Sequence, residues 1–402
     1  MSHIDSPQPI FTTLPSSQSL SENDRPDVRN PQIDGWRGLS VMLVITGHFL
    51  LYRFEHIFPA TPWSRLLGSD TIDPGLIAWN ALFRVLSALP NLGVQIFFVI
   101  SGYIITTLLM REELRHGAIS IKAFYVRRAA RILPPFFIYL AAVYVLSRHF
   151  GLSVPGEPFL RSATFLCHVP GSCSYFLGHT WTLSIEEQYY VVWPMAFVLL
   201  RGRWRLSGLR FALASLTVAS IWSPVASGFA HIATGALIAL SPQLRQCLIR
   251  NARWPAFALT ILVVSAPPFA ASSQLLYGLA RAISPLAIAF VFYATISGHG
   301  PFVRLVSLGG LQRLGLVSYS LYLWQQLSAA KLEYYDGAPN ILLFPALFIV
   351  PAVLSYALVE RPMMRAGRRI SDSIRVATPP AAANAGEHVA LEPHLQPISR
   401  AA

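Results

Sequence analysis

The chain has 402 residues, of which 53% are hydrophobic and only 12% are charged, and its mean hydropathy is +0.48. Soluble domains carry about 25% charged residues, so this composition excludes an ordinary soluble domain and favours a polytopic membrane protein. The formal net charge of +12 does not indicate nucleic-acid binding, because the basic residues form short clusters between apolar runs, as orientation signals do.

Both ends of the chain are polar, whereas the middle is apolar. Residues 1–32 are rich in Ser, Pro and Asp, and residues 366–402 contain a stretch rich in Pro and Ala. Segments of this composition have too few apolar side chains to form a packed core. The sequence therefore predicts a transmembrane domain over residues 33–365, between two disordered cytoplasmic tails.

Ten apolar segments predict an all-α, multi-pass membrane helical bundle of about ten transmembrane helices. Several are close to the lower limit of about 17 residues for a span. If the N-terminus is cytoplasmic, the inner segments contain 23 of the 31 lysines and arginines, which predicts that both termini are cytoplasmic. We expect a protein of the cell (plasma or bacterial inner) membrane. The predicted spans are residues 37–53, 92–110, 132–148, 182–200, 209–223, 226–241, 254–270, 275–297, 314–331 and 341–360.

Two features lie in long predicted outer loops. The apolar run at residues 76–86 contains Arg84 and is too short to cross a bilayer, so we predict an interfacial or re-entrant helix there. Cys167 and Cys173 flank a Pro-Gly loop. They form a disulfide if that loop is extracytoplasmic, or remain two free thiols.

In the first predicted span, the ionisable side chains Arg37 and His48 are eleven positions apart. Eleven residues make just over three helical turns, so both lie on one face, about 16 Å apart along the axis. Ionisable groups in membrane helices are costly and usually functional, and imidazole suits proton transfer near neutral pH. We interpret His48 as catalytic, with a helix–helix hydrogen bond as the alternative. Arg37 by itself resembles an ordinary boundary anchor.

A basic cluster precedes the third span. Arg128 and Arg131 are three residues apart, so they point the same way on a helix. A planar guanidinium group pairs well with phosphate. Anchoring at the inner membrane surface explains the pair equally well, and spacing alone leaves both interpretations open.

Polar residues also occur in later apolar segments. Glu186 begins a predicted span, where it either orients a histidine or stabilises the first helical turn. Ser101 and Tyr319 lie where small residues neighbour aromatic ones, a pattern typical of close helix packing. Glu360 and Arg361 end the last span, and we interpret them as a local ion pair.

Taken together, these segments resemble the membrane acyltransferase-3 family, the integral-membrane acyltransferases that modify bacterial surface glycans and some lipids and antibiotics. The resemblance runs from about residue 33 to residue 362. Six motifs occur in the family order, which is a highly specific signal. They are Arg37-x10-His48, Phe97-Phe98-Val99-Ile100-Ser101-Gly102-Tyr103, Arg128-x-x-Arg131, the segment from Trp181 to Glu186, the segment from Ser318 to Trp324, and Glu360-Arg361-Pro362.

The resemblance implies transfer of an acyl group, usually acetyl, from cytoplasmic acyl-CoA to a hydroxyl of a cell-envelope glycan or a sugar-bearing lipid. Because coenzyme A is anionic, we expect Arg37, Arg128 and Arg131 to bind the acyl donor. His48 is then the general base or a transient acyl carrier. Glu186 is the second catalytic candidate, as the carboxylate that orients a histidine.

The remaining expectations concern the acceptor and the partners. Ser101, Trp181 and Tyr319 form the predicted acceptor or structural site. Many relatives carry His at the position of Gln325, and because glutamine cannot shuttle a proton we assign it no catalytic part. We expect acyl-CoA as co-substrate, the lipid bilayer and a carbohydrate or glycolipid acceptor as partners, and no bound cofactor, metal or nucleic acid. The alternative is a sugar or lipid transporter without acyl chemistry.

Overall fold

The computed structural model describes residues 30–53, 74–149, 154–169, 173–251, 274–298, 303–329 and 344–376. These residues are almost entirely helical and contain no β-strand, which confirms the all-α class. From Pro31 onward they belong to one compact unit. Most of the two predicted tails lies outside the described ranges. The elements are α1 (Pro31–Arg53), α2 (Pro74–His116), α3 (Ile121–His149), α4 (Gly156–Ala163), α5 (Tyr175–Gly178), α6 (Thr180–Leu199), α7 (Arg203–Ala219), α8 (Pro224–Leu240), α9 (Pro242–Arg250), α10 (Gln274–Ile296), α11 (Val303–Val306), α12 (Gly309–Ala329), α13 (Phe344–Ser355), a π-helix (Tyr356–Glu360) and α14 (Arg361–Val376).

Nine of the ten predicted spans overlap helices in the described part of the chain, and the tenth, residues 254–270, lies outside it. Three helices there are long and apolar enough to cross a membrane: Ala88–His116 within α2, Ile121–His149 and Leu275–Ile296. The pair α8 and α9, bent by 97°, makes a fourth if it is counted as one span. Length and hydropathy therefore support three or four spans among the described residues.

The apolar run at residues 76–86, predicted to form an interfacial or re-entrant helix, is helical and is part of α2. α2 continues through it without interruption to His116. Pro90 does not end the helix, although proline has no backbone hydrogen to donate. Hydropathy alone does not reveal whether a chain stays helical on either side of a short apolar run.

The first part of the predicted C-terminal tail is helical. Residues 366–376, placed in a disordered tail by their polar composition, form most of α14. Gly367 brings α14 directly against Ala130 of α3, and Arg375 forms an ion pair with Glu112 at 2.6 Å. Tertiary contacts therefore order a segment that is too polar to fold by itself.

Two Ser-Pro pairs determine where α8 and α9 begin. Ser223 and Ser241 cap these helices by accepting backbone hydrogen bonds from Ala226 (3.2 Å) and Leu244 (3.3 Å). The following prolines occupy the first turn, where the missing N–H has no partner to lose. Because Pro242 cannot continue α8, the chain turns by 97° at this point.

Cys167 and Cys173 form a disulfide, which resolves the alternative that their spacing left open. The backbone N–H of Cys167 donates to Ser184 Oγ of α6 at 3.3 Å. Ser162 and Thr180 share a hydrogen bond of 3.1 Å. These contacts fasten the loop after α4 to the start of α6.

Glycines bring α1 and α12 into backbone contact. A Cβ atom on Gly38 would overlap a backbone carbonyl of α12, and one on Gly315 would overlap the carbonyl oxygen of Asp34. Small residues are typical of membrane helix pairs, because lipid provides no hydrophobic driving force between them. α2 and α8 meet in the same way through Gly102 and Gly235. The first contact fixes the position of α1 and, with it, of Arg37 and His48.

A buried carboxylate joins α2, α3 and α14. Glu112 accepts a hydrogen bond from Arg127 at 2.7 Å and pairs with Arg375 at 2.6 Å. Its other oxygen accepts the backbone N–H of Ser120 at 3.1 Å. Arg127 also donates to Ser371 Oγ at 2.6 Å. Arg127 therefore has structural partners on two neighbouring helices.

Replacing Gly315 with Ala tests the contact between α1 and α12. The added Cβ must push the helices apart, so we expect a loss of about 1–3 kcal/mol in the free energy of unfolding. Gly309→Ala in the same helix is the matched control, because a Cβ there meets nothing within 4 Å. Thermal unfolding in detergent measures both variants. Equal stability of the two variants would contradict the contact.

Candidate active site

An open cavity of about 790 Å³, counting the part open to solvent, lies between α1, α2, α3, α6 and α12. Six of the eight predicted site residues line it, and the other two, His48 and Trp181, do not. Much of the remaining wall is apolar or aromatic, as at Phe97 and Ile104. Apolar walls with a few converging polar groups are typical of small-molecule sites. The six predicted residues are Arg37, Ser101, Arg128, Arg131, Glu186 and Tyr319.

The charge of the cavity wall is predominantly positive. Arg37, Arg128 and Arg131 line it together with a single acidic residue, Glu186. All three arginines interact electrostatically with the Glu186 carboxylate. The guanidinium carbon of Arg128 lies over the ring of Tyr190, 5.3 Å from its centre. A concave site with this excess of positive charge and apolar walls attracts anions.

Glu186 is held by a hydrogen-bond chain in the cavity wall. Ser101 Oγ donates to Glu186 Oε1 at 2.6 Å, and the Tyr190 hydroxyl donates to Ser101 Oγ at 3.0 Å. The first turn of α6 contains no acidic residue, and Glu186 lies beyond it. The alternative that Glu186 stabilises the start of a helix is therefore excluded.

Glu360, which the last motif singled out without indicating its surroundings, belongs to the same charge cluster. Its side chain is 1% exposed and accepts a hydrogen bond from Ser320 Oγ at 2.8 Å. Arg131 and Arg37 act on it electrostatically. The predicted local ion pair with Arg361 is wrong, because Arg361 is exposed whereas the Glu360 carboxylate is buried beside Ser320. The π-helix ends at this residue, and such irregular turns are frequent at functional sites.

The two aromatic candidates differ in their positions. Tyr319 lines the cavity, and its hydroxyl donates to the backbone carbonyl of Ile132 at 2.9 Å. Trp181 lies behind the wall, where its ring meets Phe98 edge-on with 6.0 Å between ring centres. Tyr319 is therefore placed to touch a ligand, whereas Trp181 packs against Phe98, which lines the cavity.

His48 lies beside the next turn of α12 beyond the cavity. Its Nδ1 is 3.1 Å from Gln325 Oε1. Gln325 is one helical turn along α12 from Tyr322, which lines the cavity. Because α1 is helical throughout, the predicted axial separation of about 16 Å between Arg37 and His48 holds.

A second histidine, which the motifs did not single out, lies near this turn. His179 is 5% exposed and packs edge-on against the rings of Tyr139 and Tyr322, at 5.3 and 5.5 Å. The Tyr322 hydroxyl bonds to Thr182 Oγ1 at 2.7 Å and to the backbone carbonyl of His179 at 3.0 Å. Tyr322 therefore connects the cavity wall with His179. No group of three or more potential metal ligands occurs in the described ranges.

The comparisons with known proteins agree on one kind of chemistry. A family model described as an acyltransferase domain matches residues 30–360 of this chain. Peptidoglycan O-acetyltransferase OatA of Listeria monocytogenes serovar 1/2a is 25% identical over 396 residues, which cover 84% of this chain and 56% of that protein. O-acetyltransferase OatA of Staphylococcus aureus strain NCTC 8325 is 25% identical over 319 residues, covering 69% and 53%. No solved structure matches the chain significantly.

The chain belongs to this family of acyltransferases, because the family model matches most of its length. This confirms the resemblance that the six motifs indicated. The chain spans about half the length of the curated relatives it matches.

A double-mutant cycle tests the chain that holds Glu186. Ser101→Ala removes its hydrogen-bond donor, for which we expect a loss of about 1–3 kcal/mol in unfolding free energy. Tyr190→Phe keeps the ring beside Arg128 and costs about 1 kcal/mol. Both hydroxyls belong to one hydrogen-bond chain. The loss of unfolding free energy in the double variant should therefore be smaller than the sum of the two single losses by about 0.5 kcal/mol or more.

Thermal unfolding in detergent provides the measurement for this cycle. Tyr189→Phe is the matched control, since it removes a neighbouring buried hydroxyl outside the chain and should show no coupling with Ser101→Ala. Strict additivity of Ser101→Ala and Tyr190→Phe would contradict the chain.

Proposed function

We propose that this chain transfers an acyl group, with acetyl the expected one, from cytoplasmic acyl-CoA to a hydroxyl of a cell-envelope glycan or a sugar-bearing lipid. The observation that carries the proposal is the cavity in which Arg37, Arg128 and Arg131 meet from two helices. Family membership supports acyl transfer as the reaction. The names of both relatives support acetyl as the group, and the name of the Listeria protein supports peptidoglycan as the kind of acceptor.

Binding of the donor by the three arginines rests on charge and shape. Coenzyme A carries several negative phosphate charges, and guanidinium groups bind phosphate through paired hydrogen bonds. The uncharged pantetheine arm suits the apolar wall that surrounds the arginines. Glu186 and Glu360 interact electrostatically with these guanidinium groups and partly balance their charge before an anion binds.

His48 supplies the proton chemistry in this proposal. The imidazole takes the proton of the acceptor hydroxyl while the hydroxyl oxygen attacks the thioester carbonyl carbon. A C–O bond forms, the C–S bond breaks, and the coenzyme A thiolate leaves and takes up the proton. Alternatively, the imidazole first accepts the acyl group and then passes it to the hydroxyl. Both routes require the acyl end to extend past Tyr322 toward Gln325.

The acceptor approaches the outer end of the path that the acyl group takes past Tyr322 toward Gln325. Ser101, Tyr319 and, through Phe98, Trp181 shape the wall between the arginines and the turn that carries Tyr322. Glu186 acts here as a fixed carboxylate held by Ser101.

We further propose about ten membrane spans, with both termini cytoplasmic, in the cell membrane. The clustering of 23 of 31 basic residues in the predicted inner segments supports this orientation. The disulfide of Cys167 with Cys173 supports it too, because disulfides persist in oxidising compartments and this loop is predicted to be outside. Arg37 then lies near the cytoplasmic end of α1, on the side where acyl-CoA is found.

Replacing His48 with Ala tests the reaction. We expect the rate of acyl transfer to fall roughly 10²-fold or more, because a positioned acid–base group contributes about that factor. The assay uses purified protein in proteoliposomes with labelled acetyl-CoA and peptidoglycan fragments, and follows both ester formation and release of free thiol. His149→Ala, at an exposed position, is the control. Wild-type turnover by correctly inserted His48→Ala would remove this mechanism, and absence of thiol release from wild type would favour a transporter.

The adjacent arginines of α3 allow a matched test of donor binding. Arg128→Met removes a cation from the cavity, so we expect KM for acetyl-CoA to rise roughly tenfold to a hundredfold. Arg127→Met breaks the pair with Glu112 and should mainly lower thermal stability. Steady-state kinetics and thermal unfolding on both variants provide the measurement. An unchanged KM in Arg128→Met would exclude the arginine from donor binding.

A further inference from the structure

We infer that Gln325 and Gln326 form a hydrogen-bond relay that fixes which nitrogen of His48 carries the proton. The inference deepens the proposed function, since it rests on His48 as the general base. Both glutamines are buried on α12, at 1% and 5% exposure, and neither lines the arginine cavity. They are positioning residues, because they act on the reaction through His48.

The relay begins at a group that can only accept a hydrogen bond. The backbone carbonyl oxygen of Tyr175 lies 3.0 Å from the Gln326 amide. The atom of Gln326 that faces it must therefore be the donor, Nε2. The Oε1 atom of the same amide then faces Gln325. A carbonyl of α5 thus determines the orientation of the first amide.

The second amide and the imidazole follow from the first. Gln325 Nε2 donates to Gln326 Oε1 at 3.0 Å. This leaves Gln325 Oε1, an acceptor, 3.1 Å from His48 Nδ1. Flipping either amide would bring two donors or two acceptors face to face at one of these contacts. His48 Nδ1 must therefore carry the hydrogen and donate it to Gln325.

This arrangement gives His48 the tautomer that a general base needs. With the hydrogen on Nδ1, the lone pair of the neutral ring is on Nε2, the nitrogen able to take a proton from a hydroxyl. The carboxylate of a Ser-His-Asp triad has the same effect on its histidine, and there the wrong tautomer costs about 10⁴-fold in rate. Gln325 cannot transfer a proton, but its Oε1 atom determines which nitrogen of His48 carries one.

Two Met substitutions interrupt the relay at different points. Gln326→Met removes the link to the Tyr175 carbonyl without touching His48, and Gln325→Met removes the acceptor itself. Gln325→Glu restores an acceptor oxygen opposite Nδ1. Gln188→Met is the matched control, because Gln188 Nε2 also donates to a backbone carbonyl, that of Phe165 at 3.3 Å.

Two measurements follow each variant in proteoliposomes: kcat and KM with acetyl-CoA, and the ring ¹³C and ¹⁵N signals of labelled histidine by solid-state NMR. The spectrum of His48→Ala identifies the His48 signals by difference. We expect both Met variants to lower kcat about tenfold or more while KM changes less than about twofold. Gln325→Glu should recover part of kcat, and Gln188→Met should match wild type. Wild-type His48 should show the Nδ1–H signature, and the Met variants a mixture of tautomers.

The NMR measurement separates this inference from the proposed function. An Nε2–H signature in wild-type His48 overturns the relay whatever the activities are. Wild-type kcat in both Met variants also overturns it. An Nδ1–H signature together with a fully active His48→Ala leaves the tautomer established but removes the proposed function.

Discussion

Backbone contact between α1 and α12 determines where Arg37 and His48 lie. Gly38 and Gly315 allow the two helices to approach until each meets the other's backbone. Because lipid replaces water around such a pair, close packing stabilises it in place of the hydrophobic effect. Along this contact Arg37 reaches the cavity and His48 meets Gln325. A bulkier residue at Gly38 or Gly315 would push α1 away from α12. The position of Arg37 at the cavity and the distance from His48 to Gln325 would then change together.

Burial of positive charge is the second constraint on the site. Three guanidinium groups in a wall that is otherwise mainly apolar are costly unless carboxylates balance them. Glu186 is held by Ser101 at 2.6 Å, and Glu360 by Ser320 at 2.8 Å. In the cavity wall the three guanidinium groups outnumber the single carboxylate of Glu186, so an anionic ligand gains from entering. The excess positive charge of the wall favours a phosphate-bearing donor. When no donor is bound, the contacts with Ser101 and Ser320 hold the two carboxylates near the arginines.

Local patterns predicted much of the fold and only part of the site. Hydropathy located nine spans that are helical in the described part, and helical geometry placed Arg37 and His48 on one face. The contact of Glu360 with Ser320 joins residues 40 positions apart on different elements, and no local spacing encodes it. The part of Gln325 depends on the orientation of its amide, which follows from a carbonyl far away in the chain. The order of α14 likewise comes from tertiary contacts rather than from composition.

The most direct test of this account is a cryo-electron microscopy structure with a non-hydrolysable thioether analogue of acetyl-CoA. The account predicts phosphate density within hydrogen-bonding distance of Arg37, Arg128 and Arg131. It also predicts the arm passing Tyr322, with the acyl end beside the His48 imidazole. An analogue bound elsewhere, or an acyl end that stops at the arginines with His48 closed off, would contradict it.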